Sequence, residues 1–212
     1  MTRLRKASRL RRSPALRDLA ARVMAGCDGG VFEVEPERIF TRRAPLEVEL
    51  GAGKGEFIVE RAAAHRQRNF LAVELSGPVA QLLAVRCARA ELANLRVVQM
   101  DARTLVNLML RDSSVAAYHI YFPDPWPKVR HVKHRLFSPR FARNLVRTLE
   151  PGGSVHVATD VRGYADAIVP MLDAAGLVRV QEDSPGGYAT GFARKYLAEG
   201  KRVYTASFGK LR

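Results

Sequence analysis

The chain has 212 residues, 47% of them hydrophobic and 26% charged, which are ordinary values for a globular protein long enough to bury a substantial core. Its 35 lysines and arginines against 21 aspartates and glutamates give a formal net charge of +14, which favours a polyanionic partner, nucleic acid first and an anionic membrane surface second. Its two cysteines, Cys27 and Cys87, stand far apart and indicate a reduced compartment without a disulfide framework or a structural zinc site.

The N-terminal segment is basic and has no acid before Asp18. Its first twelve residues include six positive side chains: Arg3, Arg5, Lys6, Arg9, Arg11 and Arg12. With too few apolar residues to fold alone, residues 1–12 are predicted to be a disordered arm that orders on a polyanion, and residues 13–212 a single domain. The arm is also faintly similar to a mitochondrial presequence, but nucleic-acid binding explains the same residues. Since no apolar run reaches the ~18 residues of a membrane span, the cytoplasm is the expected compartment.

A helix is predicted directly after the arm. Ser13 and Pro14 supply an N-cap followed by proline at the first helical position, and the helix should run to about Met24. Residues 27–44 show no clear period and are predicted to be a loop.

From Leu46 onward, short β-rich runs alternate with helical stretches. The predicted strands are Leu46–Leu50, Phe70–Glu74, Leu95–Met100, Val115–Phe122, Ser154–Ala158, Leu177–Gln181 and Arg202–Phe208. The predicted helices are Lys54–His65, Pro78–Leu92, Arg103–Leu110, Pro139–Leu149 and Tyr164–Ala175. This alternation favours an α/β fold, with a parallel sheet and helices on both faces.

A glycine-rich loop, Glu49–Gly55, ends the first strand and opens the first of these helices. In an open α/β sheet, ligands bind in the crevice at this edge, and glycines let them approach the backbone. The dinucleotide fingerprint requires a third glycine where this chain has Glu56, so that pattern fails. The carboxylate of Glu49 would repel a pyrophosphate and suits a cationic cofactor such as S-adenosylmethionine.

Two further acids end the next two strands. Glu74 is placed to accept the hydroxyls of a ribose, and Asp101 to bond an adenine amine. Each acid alone is equally typical of a helix N-cap or a solvated strand end. Because Glu49, Glu74 and Asp101 follow successive strands beside a glycine loop, we interpret them together as an S-adenosylmethionine pocket.

The fourth strand ends in a proline-rich segment, residues 121–128, which we call the ledge. Its three prolines are spaced two apart and enclose Asp124 and Trp126. Proline fixes φ and restricts the residue before it to extended conformations, so we predict a stiff, non-helical ledge that holds both side chains in a fixed relation. Trp126 either stacks on a nucleic-acid base or plugs the sheet edge as an apolar side chain.

A basic run follows the ledge. The side chains predicted to bind phosphates are Lys128, Arg130, Lys133 and Arg135. His131 and His134 add charge only when protonated. The alternative interpretation is a proline-rich turn followed by a solvated charge run.

These pieces together resemble the bacterial tRNA (guanine-N7)-methyltransferases. The matching segments, in the family's order, are Glu49–Gly55, Ala72–Glu74, Asp101–Ala102, Phe122–Lys128 with the basic run behind it, Ala158–Asp160 and Thr190. The resemblance implies a Rossmann-like methyltransferase, a mostly parallel seven-stranded sheet with a reversed last strand. It also implies transfer of a methyl group from S-adenosylmethionine to N7 of a guanine in the tRNA variable loop.

The resemblance also implies roles for single residues, and it implies no metal. The cofactor contacts would be Glu49, Gly51, Gly53, Glu74, Asp101 and Asp124, with Asp124 also catalytic. The substrate contacts would be Lys128, Asp160 and Thr190, together with Arg130, Lys133 and Arg135 of an RNA-binding loop. One departure is Ala193, which stands where the family usually has a glutamate three residues after the threonine. The contribution of that glutamate is missing or supplied elsewhere, by Glu199 or Glu182.

The chemistry places few demands on the protein. N7 of neutral guanine carries a lone pair and no proton, so Asp124 and Asp160 would orient the base and stabilise the developing cation, without Asp124 acting as a general base. Two rival functions remain: methylation of another RNA base nitrogen, since Pro123–Trp126 resembles the ledges of amino-methylating enzymes, and RNA binding without catalysis, with Ala193 as a sign of decay. The sequence leaves the oligomeric state open.

Overall fold

The computed structural model describes most of the chain, namely residues 20–21, 24, 36–180, 196 and 198–212. The predicted arm, most of the predicted helix from Ser13 to Met24, and the predicted substrate contact Thr190 lie outside the described residues. So do Glu182 and Ala193.

Within the described residues, seven strands form one sheet: β1 (Leu46–Leu50), β2 (Asn69–Glu74), β3 (Leu95–Gln99), β4 (Val115–Tyr121), β5 (Leu149–Thr159), β6 (Val178–Val180) and β7 (Tyr204–Gly209). Their order across the sheet is β3-β2-β1-β4-β5-β7-β6. The pairs among the first five strands are parallel, whereas β7 runs antiparallel to both β5 and β6. The predicted mostly parallel sheet with a reversed last strand is therefore confirmed.

Helices connect these strands: α1 (Pro36–Ile39), α2 (Glu56–Ala64), α3 (Gly77–Arg89), α4 (Ala102–Thr104), α5 (Pro139–Thr148) and α6 (Arg162–Ala174). Two more helical turns are a π-helix over Leu105–Met109 and a 3₁₀ helix over Val129–His134. The sequence predicts neither α1 nor the 3₁₀ helix, since both lie in segments without an amphipathic period.

The helix predicted over Arg103–Leu110 is divided in the structure. Asp101 is the N-cap of α4, and its side chain accepts hydrogen bonds from the backbone N–H groups of Arg103 and Thr104. After one α-helical turn the chain widens into the π-helix, which buries Leu105, Val106 and Met109. The wider turns bring these side chains into the core, and the sequence period does not distinguish them from an α-helix.

Strand β5 begins earlier than predicted, directly after α5. Its pairing with β4 shifts register between Val115 and Ala117, and Gly152 has a φ of +79° in the irregular stretch. Lys210 then closes the C-terminus of α5 by donating to the carbonyls of Val146 (2.8 Å) and Leu149 (2.7 Å). A lysine in this place also suits the negative end of the helix dipole.

Two apolar clusters cover the two faces of the sheet. Because side chains alternate along a strand, β2 contributes Leu71 and Val73 to the larger cluster and Phe70 and Ala72 to the smaller one. The site described next lies at one end of this sandwich, where the parallel strands end. Within the part of the chain that the structure describes, every helix is too short or too polar to cross a membrane.

Candidate active site

All the acids that the sequence singles out lie at the carboxyl edge of the sheet. Glu49 pairs in register with Ala72 and His119, and Glu74 with Gln99. Asp101 lies two residues after the end of β3, Asp124 three residues after β4, and Asp160 directly after β5. The carboxyl ends of parallel strands meet at one edge, so the predicted gathering of acids is present.

The glycine loop turns through left-handed backbone conformations. The φ angles are +80° at Gly51, +56° at Gly53 and +70° at Gly55. A Cβ atom added to Gly51 would meet nothing within 4 Å, whereas one added to Gly55 would collide with Cδ1 of the buried Leu83. Gly51 therefore borders open space at the sheet edge, and Gly55 allows α2 to pack closely on α3.

Glu49 carries a buried carboxyl group that is only partly satisfied. Its side chain is buried, and its Oε2 atom has no hydrogen-bond partner among the described residues. Burial raises the pKa of Glu49 well above 4.5; a backbone hydrogen bond from Ile58 opposes the shift, and the nearby Glu74 carboxylate adds to it. A buried, unpartnered carboxylate beside an open glycine turn is a site for a cation.

Glu74 joins the glycine loop to the turn after β2. One carboxylate oxygen accepts the backbone N–H of Gly53 at 2.9 Å, and the other accepts that of Ser76 at 2.8 Å. Each oxygen keeps a further lone pair that can accept a ligand hydroxyl. The residue thus fixes the loop geometry and remains available to a ligand.

Asp101 acts as a helix N-cap, one of the interpretations left open by the sequence. Besides the two N–H groups of α4, its carboxylate pairs with the guanidinium of Arg103 at 3.2 Å. Burial alone would raise the pKa of Asp101, but the hydrogen bonds and charge from Arg103 and the bond from Thr104 lower it. The side chain remains 31% exposed at the edge of the crevice.

The ledge is non-helical, as predicted, but its backbone is not extended throughout. Phe122 and Trp126 have φ angles of +52° and +39°, and each precedes a proline. The prediction that these residues are extended is therefore wrong. The N–H of Phe122 still pairs with the carbonyl of Ala158 at 2.7 Å, so the chain must turn sharply at Phe122 to leave the sheet.

Arg135 holds the ledge in place by hydrogen bonds to its backbone. Its Nε donates to the carbonyl of Pro125 at 2.8 Å and its Nη2 to that of Trp126 at 3.3 Å. The same guanidinium lies over the ring of Tyr164, 5.2 Å from the ring centroid. Tyr164 is buried, and burial raises the pKa of its hydroxyl. Through Arg135, this buried ring supports the ledge.

The remaining basic residues of the run are exposed to solvent and do not bind the ledge as Arg135 does. Lys128, Arg130 and Lys133 are exposed on the ledge and the 3₁₀ helix. The Nε of Arg130 donates to Nε2 of His131 at 3.3 Å, which leaves the charged group at the surface. These three cations are presented to solvent as the phosphate-binding prediction requires, whereas Arg135 is already engaged by the protein.

Asp160 follows β5, the strand next to the one that leads into the ledge, and lies near the segment that leads into β7. The ring centroids of Tyr196 and Phe122 lie 5.5 Å apart. Nζ of Lys201 lies over the Tyr196 ring, 4.8 Å from its centroid. The pKa of Lys201 is raised, chiefly by a hydrogen bond to Glu199 and in small part by Asp160. The ledge and Asp160 thus follow two neighbouring strands at the same edge of the sheet.

The sequence gives no indication of a polar seam beneath this edge. Glu47 is fully buried and binds Arg61, Arg68 (3.1 Å) and Nε2 of His119 (2.8 Å). The ring of His119 in turn stacks on that of His156, with centroids 5.2 Å apart. These partners come from a helix, a loop and two strands that are distant from Glu47 in sequence. Only the alternation of Glu47 and Glu49 in an apolar strand could have suggested that both face inward.

Comparisons with known proteins identify the family of this chain. A family model described as a putative methyltransferase matches residues 43–206. The tRNA (guanine-N(7)-)-methyltransferase of Alkalilimnicola ehrlichii is 36% identical over 82% of this chain and 76% of its own length. The chain belongs to the tRNA (guanine-N7)-methyltransferase family. Another member, from Syntrophotalea carbinolica, is 35% identical over 78% of this chain and 74% of its own.

Solved structures of other methyltransferases share the fold. The crystal structure of the 16S rRNA methyltransferase KamB superposes with a TM-score of 0.65 and 18% identity, covering 90% of this chain and 99% of that one. At this identity the likeness shows the architecture alone. It agrees with the strand order and the reversed β7 of this chain.

The residues at the edge fit the methyl donor of this family, S-adenosylmethionine. Its amino group and sulfonium are cationic, and the buried carboxyl of Glu49, whose Oε2 has no partner among the described residues, becomes a negative partner when it ionises on binding. The open space at Gly51 and the free lone pairs of Glu74 fit a ligand that carries hydroxyl groups. The cysteine of this region, Cys87, is buried, and burial raises the pKa of its thiol to about 12, so it is inert packing beneath the pocket.

Proposed function

We propose that this protein transfers a methyl group from S-adenosylmethionine to N7 of a guanine in tRNA, and that the guanine lies in the variable loop. One observation carries the proposal: in a chain of this family, the ledge with Asp124 and the buried carboxylate of Glu49 border the same sheet edge. Methyl donor and base can therefore meet there. The cytoplasm, where tRNA is abundant, is the compartment we expect.

The cofactor-binding half of the site is formed by β1, β2 and β3. Glu49 would bind the amino group of the methionine part, with Gly51 and Gly53 allowing close approach of the backbone. Glu74 would accept the ribose hydroxyls, and the exposed side of Asp101 would meet the adenine. When bound, the cofactor supplies a methyl group activated by its positively charged sulfur.

The guanine-binding half lies between β4 and β5. Asp124 is exposed on the fixed ledge, and Asp160 faces the same edge. N7 of guanine has a lone pair and no proton to lose, so these carboxylates orient the base by accepting its N–H hydrogens and stabilise the positive charge that develops on the ring. Alignment of this kind can supply ~7–11 kcal/mol of the barrier reduction.

The RNA would be held along the ledge and the 3₁₀ helix. Lys128 is placed to contact the substrate close to Asp124, and Arg130 and Lys133 to bind backbone phosphates. Thr190 remains the expected further contact to the guanine.

The decisive experiment is methyl transfer from radiolabelled S-adenosylmethionine to unmodified tRNA transcripts, followed by chemical cleavage at 7-methylguanosine. We expect one cleavage site, in the variable loop, that disappears when the guanine there is replaced by adenine. The variant Asp124→Asn, which keeps the size of the side chain but removes its charge, should lower kcat at least a hundredfold.

Other outcomes separate the rival functions. Label on a different nitrogen would identify the protein as a methyltransferase for another RNA base atom. Tight binding of tRNA and cofactor without any transfer would identify a non-catalytic RNA-binding protein, and both results would contradict the proposal.

A further inference from the structure

Three aromatic rings form an exposed cluster on the outer side of the ledge. The indole of Trp126 meets the imidazole of His131 edge-on at 5.6 Å and that of His134 at 5.3 Å. The two imidazoles lie 6.0 Å apart. Trp126 is 38% exposed, and it belongs to neither of the two apolar clusters of the core.

The backbone holds this indole outward. Trp126 lies between Pro125 and Pro127, has a φ of +39°, and its carbonyl accepts a hydrogen bond from Arg135. A left-handed conformation is unfavourable at a bulky residue and persists where surrounding contacts impose it. An apolar plug of the sheet edge would have apolar neighbours and little exposure, whereas this indole has two imidazoles as neighbours and an open face.

Positive charge surrounds the cluster. Lys128, Arg130 and Lys133 are exposed on the same short segment, and Val132 between them is 44% exposed. Exposed rings beside cations are how proteins bind unpaired nucleotides, because each base offers a π face for stacking and each phosphate a negative charge. The charge and the rings together therefore point to a single-stranded stretch of RNA.

We infer that Trp126, supported by His131 and His134, is a stacking subsite for an unpaired base of the tRNA adjacent to the target guanine. The inference rests on the proposed function, since it takes Asp124 as the position of the guanine. Asp124 and Trp126 are two residues apart and so at most about 7 Å from each other along the chain. Adjacent nucleotides of an unpaired strand can reach both, one in the methylation pocket and its neighbour on the indole.

The chain offers a direct probe, because Trp126 is its only tryptophan. Wild-type protein is titrated with unmodified tRNA while the tryptophan fluorescence is recorded. Stacking on a base should quench the emission in parallel with binding. The quench should persist when the target guanine is replaced by an abasic site. It should disappear when the abasic site stands at a nucleotide next to the target guanine instead.

Two variants test the role of the ring without relying on fluorescence. Trp126→Phe keeps a stacking ring and should bind tRNA within about threefold of the wild type. Trp126→Leu keeps an apolar side chain but no ring, and should weaken tRNA binding by about tenfold or more. Unchanged affinity for S-adenosylmethionine in both variants shows that the fold is intact.

The inference is overturned if tRNA binds without quenching, if the quench depends on the target guanine alone, or if Trp126→Leu binds as tightly as Trp126→Phe. Methyl transfer to guanine N7 by a protein whose emission tRNA leaves unchanged would refute the stacking subsite and leave the proposed function standing. Quenching without methyl transfer would refute the proposed function and leave the subsite as an RNA-binding surface.

Discussion

At Arg135 a single guanidinium holds two backbone carbonyls of the ledge and lies over the ring of Tyr164. The sequence places this arginine in the same basic run as Arg130 and predicts the same role for both. Their difference arises from a loop of ten residues that closes back on Pro125, which no local pattern reveals. We therefore interpret Arg135 as a residue that positions Asp124 and Trp126.

Replacement of Arg135 by lysine tests this positioning role. Lysine keeps the positive charge but lacks the planar fork that reaches two carbonyls. We expect kcat for methyl transfer to fall between tenfold and a hundredfold, because small misplacements of an aligned group are costly. The salt dependence of tRNA binding should stay as in the wild type.

Arg130→Lys is the matched control and should leave both kcat and the salt dependence of tRNA binding nearly unchanged. Arg130→Gln should reduce the salt slope, the slope of log K for tRNA binding against log salt concentration, by about one. If Arg135→Gln reduces the salt slope in the same way without lowering kcat, Arg135 binds a phosphate and does not position the ledge.

Glu49 leads to a second prediction for a single residue, on the pH dependence of cofactor binding. In the free protein its raised pKa keeps the carboxyl protonated above 4.5, and a cationic amino group binds only the ionised form. Affinity for S-adenosylmethionine should therefore increase with pH from about 4.5 to the raised pKa and level off above it, with release of a proton. Calorimetry in buffers of different ionisation enthalpy measures that proton directly.

The variant Glu49→Gln has no proton to release at this position. It should bind the cofactor about 10–100-fold more weakly, as expected for loss of a charge-assisted hydrogen bond, and its binding heat should no longer depend on the buffer through this group. An unchanged proton release in the variant would show that Glu49 is not the partner of the cation.

Among the secondary-structure elements, the central strands agree best with the sequence. Strand β1 has the predicted bounds Leu46–Leu50, and β2, β3 and β4 differ by one residue at one end. Buried parallel strands are short apolar runs, and glycines, prolines and acids mark their ends clearly. The start of β5 and the π-helix after α4 were not predicted, because a register shift and a widened helical turn depend on packing rather than on the local period.

The seam between β1 and β4 predicts how the fold responds to acid. Burial lowers the pKa of His119 to about 4, despite the hydrogen bond to Glu47. Burial would raise the pKa of Glu47, but hydrogen bonds from His119 and Arg61 and their charges lower it to about 2. We take His119 as neutral at pH 7, with Arg61 and Arg68 balancing the charge of Glu47.

The direction in which the free energy of unfolding changes with pH follows from which state binds more protons. Between pH 6.5 and about 4 the unfolded chain binds a proton at His119 that the folded protein does not, so the free energy of unfolding falls by up to about 3 kcal/mol as the pH decreases. Glu47 adds a similar loss between pH 4.5 and about 2. Urea unfolding of His119→Gln should lack the first loss and that of Glu47→Gln the second, each relative to the wild type.

Either variant could reduce stability at pH 7 as well, so the comparison concerns the slope with pH and not the absolute value. Equal slopes for wild type and His119→Gln between pH 6.5 and 4 would contradict the neutral, buried state of this histidine.

For the whole molecule, the excess of positive charge is the property that the sequence predicts most directly. Deletion of residues 1–12 removes six positive charges and no negative ones. We expect weaker tRNA binding and a smaller salt slope, since fewer counterions are released from the RNA, and unchanged S-adenosylmethionine binding. Filter binding from 50 to 200 mM salt measures the slope, and an unchanged slope would show that the arm does not contact the RNA.

The candidate site could be predicted in part because it follows from topology. Once β1, β2, β3 and β4 are parallel, the acids at their ends must meet at one edge, so Glu49, Glu74 and Asp124 can be placed without coordinates. The contacts of Arg135 and the exposure of Trp126 could not, because each depends on how the ledge folds back on the 3₁₀ helix.

The buried polar seam also restricts how the strands can be assembled. His119 faces Glu47 and His156, while its neighbours Tyr118 and Ile120 point into the opposite apolar cluster. A slip of β4 by one residue would turn all three side chains over, leaving the charge of Glu47 without its imidazole partner and placing an imidazole in an apolar cluster. The seam thus favours the native register of β4 over a one-residue slip, because only the native register pairs Glu47 with an imidazole.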